Sequence, residues 1–251
     1  MTSPSSIADA VKAIEADGAT HVDVLINNAG IEGPKHTDLM NAQSITELQS
    51  IMQRDWNQWN PTWETNTSAV IAVTAAFLPL LDAGNARRGW VRGKREQQER
   101  AKGAEYDKSD ERTSQIITVA SISAFNREIT AGIAYTASKA GAVALGKSMA
   151  NFLAPWGIRS NIIAPGRESA RIVISTDEGL LANEIFTGFP SEMTVGGATV
   201  FPVNKIPHGK PGEYEDMAAV ILYLVGKSGA YINGNVQVLD GGRLSVMPAT
   251  Y

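Results

Sequence analysis

The chain has 251 residues, 43% of them hydrophobic and 19% charged, which suits one large globular domain or two small ones. A net charge of −4 argues against nucleic acid as a partner, and the lack of cysteine excludes disulfides and thiolate metal sites. The three histidines, His21, His36 and His208, are scattered without ligand spacing, so no metal is expected. The N-terminal residues show no basic-then-apolar leader pattern and no apolar run reaches membrane-span length; the expectation is a cytoplasmic chain with no membrane partner.

In chain order, Ile7, Ala10, Val11 and Ile14 fall at helical spacing, predicting a helix over residues 5–16 with Ser5 or Ser6 as its cap and Gly18 after it. Val22-Asp23-Val24-Leu25-Ile26 reads as a buried strand, turned out by Asn27-Asn28-Ala29-Gly30. Residues 44–80 read as mostly helical, with a break near Asn60-Pro61. The mixed-charge stretch 85–113 reads as a solvated loop or surface helix, with a docking segment as the alternative. Ile116-Ile117-Thr118-Val119-Ala120 is a second strand. A long helix follows over 134–153, with small residues along one side. Residues 159–164 form a third strand, stopped by Pro165-Gly166; residues 213–225 form a helix; residues 235–239 form a last strand before Asp240-Gly241-Gly242. Strands alternating with helices indicate an α/β protein with a parallel sheet covered on both faces.

Within the long helix, Tyr135 and Lys139 stand one turn apart on the same face. An ammonium beside a phenol favours the phenolate, lowering the tyrosine pKa toward the range a general acid needs. By itself such a pair reads as a buried ring and a snorkelling surface amine. The neighbours change that reading. Ser121 follows the second strand, where parallel sheets place their ligands, and Asn66 lies in the helical stretch before it. Ser121 alone would be a strand-end turn residue, and Asn66 a helix-surface amide. Asn27 and Asn28 would tie strands together, and Pro165 and Gly166 would turn the chain.

Taken jointly, Leu25-Ile26-Asn27-Asn28-Ala29-Gly30, Asn66, Ser121, Tyr135-x-x-x-Lys139, Ile163-Ala164-Pro165-Gly166 and Val238-Leu239-Asp240-Gly241-Gly242 resemble the ordered landmarks of the short-chain dehydrogenase/reductase family over residues 5–244. The segment Pro190-Ser191-Glu192-Met193-Thr194 with Gly209-Lys210-Pro211-Gly212 is similar to its rhamnolipid-type 3-ketoacyl reductase branch. The resemblance implies a Rossmann-type, doubly wound, three-layer fold and NAD(P)H-dependent reduction of a ketone or the reverse alcohol oxidation. Tyr135 would protonate the carbonyl, Lys139 would lower its pKa and bind the nicotinamide ribose, Ser121 would hold the carbonyl, and Asn66 would hold a relay water. Asn28, Gly30, Tyr135, Lys139, Gly166, Ser191 and Thr194 would contact NADP or NAD. The partner would be a small carbonyl or alcohol substrate.

The family's opening Thr-Gly-x-x-x-Gly-x-Gly turn has no match in this sequence. An N-terminally truncated single domain is therefore expected, lacking a βαβαβ unit of roughly 60 residues, with insertions at 85–113 and 167–188. Its first strand would be an exposed apolar edge, its affinity for NADPH poor, and its state homo-oligomeric or aggregation-prone. A segment at 167–188 that covers the cleft without joining the sheet, Ile172-Val173-Ile174 having no partner strand, is also expected. The rivals are a truncated pseudoenzyme or scaffold and a cofactor-independent isomerase or cyclase.

Overall fold

The computed structural model describes residues 2–166, 172–176, 179–183, 193–195 and 198–251, and the side chains of those outside 167–199. Helix α1 (Pro4–Ala16) is capped by Ser3, whose hydroxyl accepts from Ser6 N, with Pro4 at the first helical position. The cap thus lies ahead of the serines expected for it, because proline suits a position whose N–H would be unpaired anyway.

Parallel strands β1 (Val24–Asn27), β2 (Gln115–Val119) and β3 (Arg159–Pro165) are followed by two antiparallel hairpins. These are β4 (Ile172–Thr176) with β5 (Gly179–Asn183), and β6 (Met193–Val195) with β7 (Ala198–Val200). With β8 (Val236–Leu239) the sheet runs in the order β1-β2-β3-β8, all parallel. Ile172–Thr176 therefore does have a partner strand, inside its own hairpin and apart from the main sheet, which corrects the sequence expectation. A short apolar run followed by a turn can pair locally without any signal in the strand–helix rhythm.

Alternation along the strands builds two cores. Ile116 turns to one face, where it meets Val70, Leu81, Met149, Leu153 and Ile158. Ile117 and Ile163 turn to the other, against Leu224, Met217 and Ile221 of α6 (Tyr214–Val225). The first face is covered by α4 (Ala69–Arg87) and α5 (Ile133–Phe152), giving helix, sheet and helix layers. The small residues of α5 explain its closeness to the sheet: a Cβ at Gly146 would stand 2.4 Å from Ile162 Cγ1.

The helical stretch before α4 differs from its reading. Helix α2 (Ile45–Gln53) ends at Arg54, and the break falls at Asp55, whose φ of 50° is left-handed. Pro61 sits in the first turn of α3 (Trp59–Trp63), where proline costs little, so no break occurs at Asn60-Pro61. A π-helical turn, Glu64–Ser68, joins α3 to α4. This run also corrects the membrane-span reading: Ile45–Arg87 contains an 18-residue window of mean hydropathy 1.6, long and apolar enough to cross a membrane by composition. In the fold, Val70, Leu80 and Leu81 of that run are buried.

Past the end of α4 at Arg87, the rest of the stretch 85–113 is irregular but anchored more firmly than a solvated loop. Trp90 is buried, its indole N–H donates to Arg112 O at 2.8 Å, and the Arg100 guanidinium lies 3.5 Å from its ring centroid. The Arg112 hydrogen bond, with Arg88 nearby, holds the Asp110 carboxyl far below the usual carboxylate range. At the far side of the sheet, β1 pairs only with β2 among the described residues, and Ile26 is 41% exposed. The first strand is an edge, as its sequence context implied.

Candidate active site

Because the four strands are parallel, their C-terminal ends lie along one edge. Asn28 to Gly30 follow β1, Ser121 follows β2, Gly166 follows β3 and Asp240 follows β8. Helix α5 starts at Ile133, so Tyr135 occupies its first turn and points back over this edge, with Lys139 one turn on.

The phenol of Tyr135 and the hydroxyl of Ser121 are hydrogen-bonded to each other. Ser121 also accepts from Ser123 N at 3.1 Å, which fixes its rotamer at the start of a short 3₁₀ turn. The Lys139 ammonium donates to Val119 O at 3.0 Å and stands 5.8 Å from the centre of the Tyr135 ring. Gly30 closes the other side. A Cβ there would come within 3.2 Å of both Lys139 Nζ and Asn66 Oδ1, so the bare glycine lets the loop pack tightly against both.

Asn66 is a clamp. Its Oδ1 accepts from Ile31 N at 2.8 Å, while its Nδ2 donates to Ile31 O at 2.8 Å and to Ser138 Oγ at 2.9 Å. Both amide hydrogens are thereby used, so a relay water held by Asn66 would lie on the backbone carbonyl or on the remaining Oδ1 lone pair. The π-turn supports this placement, since it shifts the helical hydrogen-bond register at Asn66. Ser138, three residues after Tyr135 on the same helix, completes the clamp and was not singled out in the sequence, where nothing relates it to Asn66, 72 residues away.

Electrostatics overturn one expectation. Burial pushes the Tyr135 phenol up to about 12, the Ser121 hydrogen bond lowers it only in part, and the Glu32 carboxylate raises it further. Lys139 does not bring it down, because its amine is turned to Val119 O and is itself pushed down to about 8 by burial.

The same burial sets a stability cost. The unfolded chain keeps Lys139 protonated up to about pH 10.4, whereas the fold prefers the neutral amine above about 8. Stability therefore rises with pH between those values, where the unfolded state binds the extra proton. At neutral pH the cost is at most about 3 kcal/mol, and Lys139→Met also loses the bond to Val119 O, worth about 1 kcal/mol. Urea unfolding should show Lys139→Met more stable by about 2 kcal/mol at neutral pH, an advantage that disappears by about pH 10. An advantage that is absent, or that grows with pH, contradicts this account.

Of the remaining candidates, Asn28 is exposed at the β1 end. Gly166 is bound to β8 through its N–H to Leu239 O at 2.7 Å, and a Cβ there would meet the Asp240 backbone at 2.7 Å, a packing role at the edge. Ser191 and the Thr194 side chain lie outside the described residues. Asn27 Nδ2 donates to Thr74 Oγ1 at 3.2 Å, tying β1 to α4.

A Rossmann-type parallel sheet that gathers Ser121, Tyr135, Lys139 and Asn66 at one end defines a class of α/β enzymes. The chain belongs to the short-chain dehydrogenase/reductase family of oxidoreductases. A short chain dehydrogenase family model matches residues 1–91, and one described as enoyl-(acyl carrier protein) reductase matches residues 102–243. The short-chain dehydrogenase/reductase PhomF' of Diaporthe leptostromiformis is 35% identical over 92% of this chain and 68% of its own length. VdtF of Byssochlamys spectabilis, similarly named, is 34% identical over the whole chain and 77% of its own. The fold is shared with the Pseudomonas aeruginosa RhlG/NADP active-site complex, at a TM-score of 0.61 and 22% identity over 96% of this chain and 73% of that one. It is also shared with a 3-ketoacyl-ACP reductase from Sinorhizobium meliloti 1021, at a TM-score of 0.62 and 24% identity over 96% and 76%.

Proposed function

We propose that this site reduces a ketone, with Tyr135 as the proton donor and Ser121 as the second hydrogen bond to the substrate oxygen. The observation that carries the reading is the hydrogen-bonded Tyr135–Ser121 pair at the C-terminal sheet edge, with the Lys139 ammonium behind it. A carbonyl oxygen reaching both hydroxyls would take the place of their mutual bond. Tyr135 would give up its phenolic proton as negative charge develops on that oxygen, and the Ser121 hydroxyl, which favours the phenolate, would stabilise what is left behind. A phenol held near 12 is protonated at neutral pH, the form that a proton donor to a carbonyl needs.

The family and the NADP named in the RhlG structure support NADPH or NADH as the hydride source. The dinucleotide would supply hydride to the substrate carbon when bound. The reactive half of such a group fits: the Lys139 ammonium has donors beyond its one bond to Val119 O, suited to a ribose diol, and the bare backbone of Gly30 lies against it. Asn28 and Gly166 would line the same edge.

The test is NADPH consumption coupled to ketone loss, followed with a panel of ketones at millimolar cofactor. Alcohol formed in proportion to NADPH consumed is expected. No turnover with any ketone, while the chain is folded and saturated with NADPH, overturns the reading.

A further inference from the structure

Ser121 and Tyr135 belong to different elements, and the chain between them is regular only at its ends. It leaves Ser121 through the 3₁₀ turn Ile122–Ala124, runs irregularly from Asn126 to Gly132 and enters α5 at Ile133. An irregular segment has no ladder of its own to fix the distance between its ends. Its backbone is held by other segments instead. Near α5, Ala131 O accepts from His36 N at 3.4 Å, and Gly132 packs so close to Pro34 O that a Cβ would not fit. Near Ser121, residues from beyond β8 lie antiparallel to it, with Asn126 bridged to Ala249. Arg127 N donates to Pro248 O at 2.9 Å, while Thr250 N and Thr250 Oγ1 both donate to Phe125 O, at 2.8 and 3.2 Å. Tyr251 extends this ribbon. Its ring meets that of Phe125 edge-on at 4.9 Å, and its hydroxyl donates to Val236 O of β8 at 3.3 Å. Pro248, Thr250 and Tyr251 are nevertheless exposed, so the ribbon adds little to any core.

We propose that Thr250 and Tyr251 are positioning residues, which hold the turn carrying Ser121 so that its hydroxyl stands where Tyr135 can share a substrate oxygen with it. The proposal rests on Tyr135 and Ser121 being the carbonyl-binding pair. Phe125 is the point of attachment. Its N–H donates to Ile122 O at 2.9 Å, and Ala124 N donates to Ser121 O at 3.1 Å, so a fixed Phe125 fixes the whole turn. Ser123 N, within the same turn, sets the Ser121 hydroxyl itself at 3.1 Å. Freed from the ribbon, the turn could drift while the sheet and α5 stay in place. A displacement of about 1 Å in a reacting group is enough to cost on the order of 10²-fold in rate.

The experiment compares the native chain with Thr250→Pro, which removes the N–H and the hydroxyl together, and with Tyr251→Ala, which keeps the backbone bonds. Amide hydrogen exchange followed by NMR needs no turnover. In Thr250→Pro the amides of Ser123, Ala124 and Phe125 should exchange about tenfold faster, while those of Ile116–Val119 keep their native rates. Ketone reduction should show kcat lowered by about tenfold or more, with KM within about twofold of native. Tyr251→Ala should show the same pattern at about threefold. Native exchange rates at residues 123–125 in both variants, or a change confined to KM, overturns the proposal. So does loss of cooperative melting in Thr250→Pro, which would make the ribbon a support of the fold as a whole. If exchange quickens as expected but the native chain reduces no ketone, the catalytic reading fails and the placement of Ser121 by the ribbon stands. If Thr250→Pro reduces ketones at the native kcat, the positioning role fails and the catalytic reading stands.

Discussion

Tyr135→Phe should lower the rate of ketone reduction by about 10³-fold while leaving KM nearly unchanged. The substitution removes one oxygen and keeps the ring that lies beside Lys139, so the helix and its packing should persist. Ser121 would lose its partner but keep the bond from Ser123 N, so the carbonyl could still dock on one hydroxyl. What disappears is the proton given up in the transition state, which is why the loss belongs in kcat. The pH profile carries a second signature. With the phenol protonated up to about 12, the alkaline limb of reduction should follow Lys139 and fall as pH rises through about 8, where its ammonium is lost. Steady-state rates across the pH range check both points. A drop of less than about tenfold would remove Tyr135 from the proton-donor role.

Asn85→Ala should destabilise the fold by about 4 kcal/mol. Asn85 is fully buried near the end of α4, and its side chain serves three backbone groups at once. Its Oδ1 accepts from Ser114 N at 2.7 Å, and its Nδ2 donates to Gly157 O at 2.9 Å and to Trp156 O at 3.3 Å. Those groups stand at the entrances to β2 and β3, the two central strands. Alanine would strand the buried Ser114 N–H and the Gly157 carbonyl at about 1–3 kcal/mol each, less what water can recover, while Trp156 O keeps its bond from Arg95 Nη2 at 3.0 Å. Asn85→Asp keeps the acceptor for Ser114 but sets a negative charge against two carbonyl oxygens, and should be no better. Urea unfolding followed by circular dichroism measures both. A loss under about 1.5 kcal/mol for alanine would mean that water replaces the side chain, contrary to its burial.

The sequence showed the sheet more clearly than the site. Gln115–Val119 and Arg159–Pro165 lie within or near the runs that announced them, because strands buried on both faces leave a clear signal, while Val24–Asn27 is apolar although Ile26 is exposed at the sheet edge. Tyr135, Lys139, Ser121 and Asn66 were legible as a set because each occupies a strand end or a fixed helical step. What each atom does there was not. The Lys139 amine turning to Val119 O depends on depth below the helix surface, and the Tyr135 phenol rising to about 12 depends on desolvation, neither of which spacing records. The break at Asp55 was missed for a similar reason: proline is a visible marker, whereas a left-handed aspartate is not. The anchoring of Trp90 beneath Arg100 was hidden by charge, since a guanidinium stacked on a ring and one in water look alike in sequence.

The π-turn at Glu64–Ser68 makes this site sensitive to chain length rather than to composition. A π-turn is an α-helix carrying one extra residue, and each residue turns a helix by about 100°. Losing a single residue from this turn would let α3 run into α4 as one regular helix, with the same apolar face and no strand disturbed. Asn66 would then swing by about a quarter-turn away from Ile31 and Ser138, and the loop carrying Gly30 and Glu32 would lose its tether. A protein of this fold can thus shed its chemistry through one deletion while every helix and strand keeps its place. The reverse insertion is as short a route by which a plain packing helix could acquire such a site.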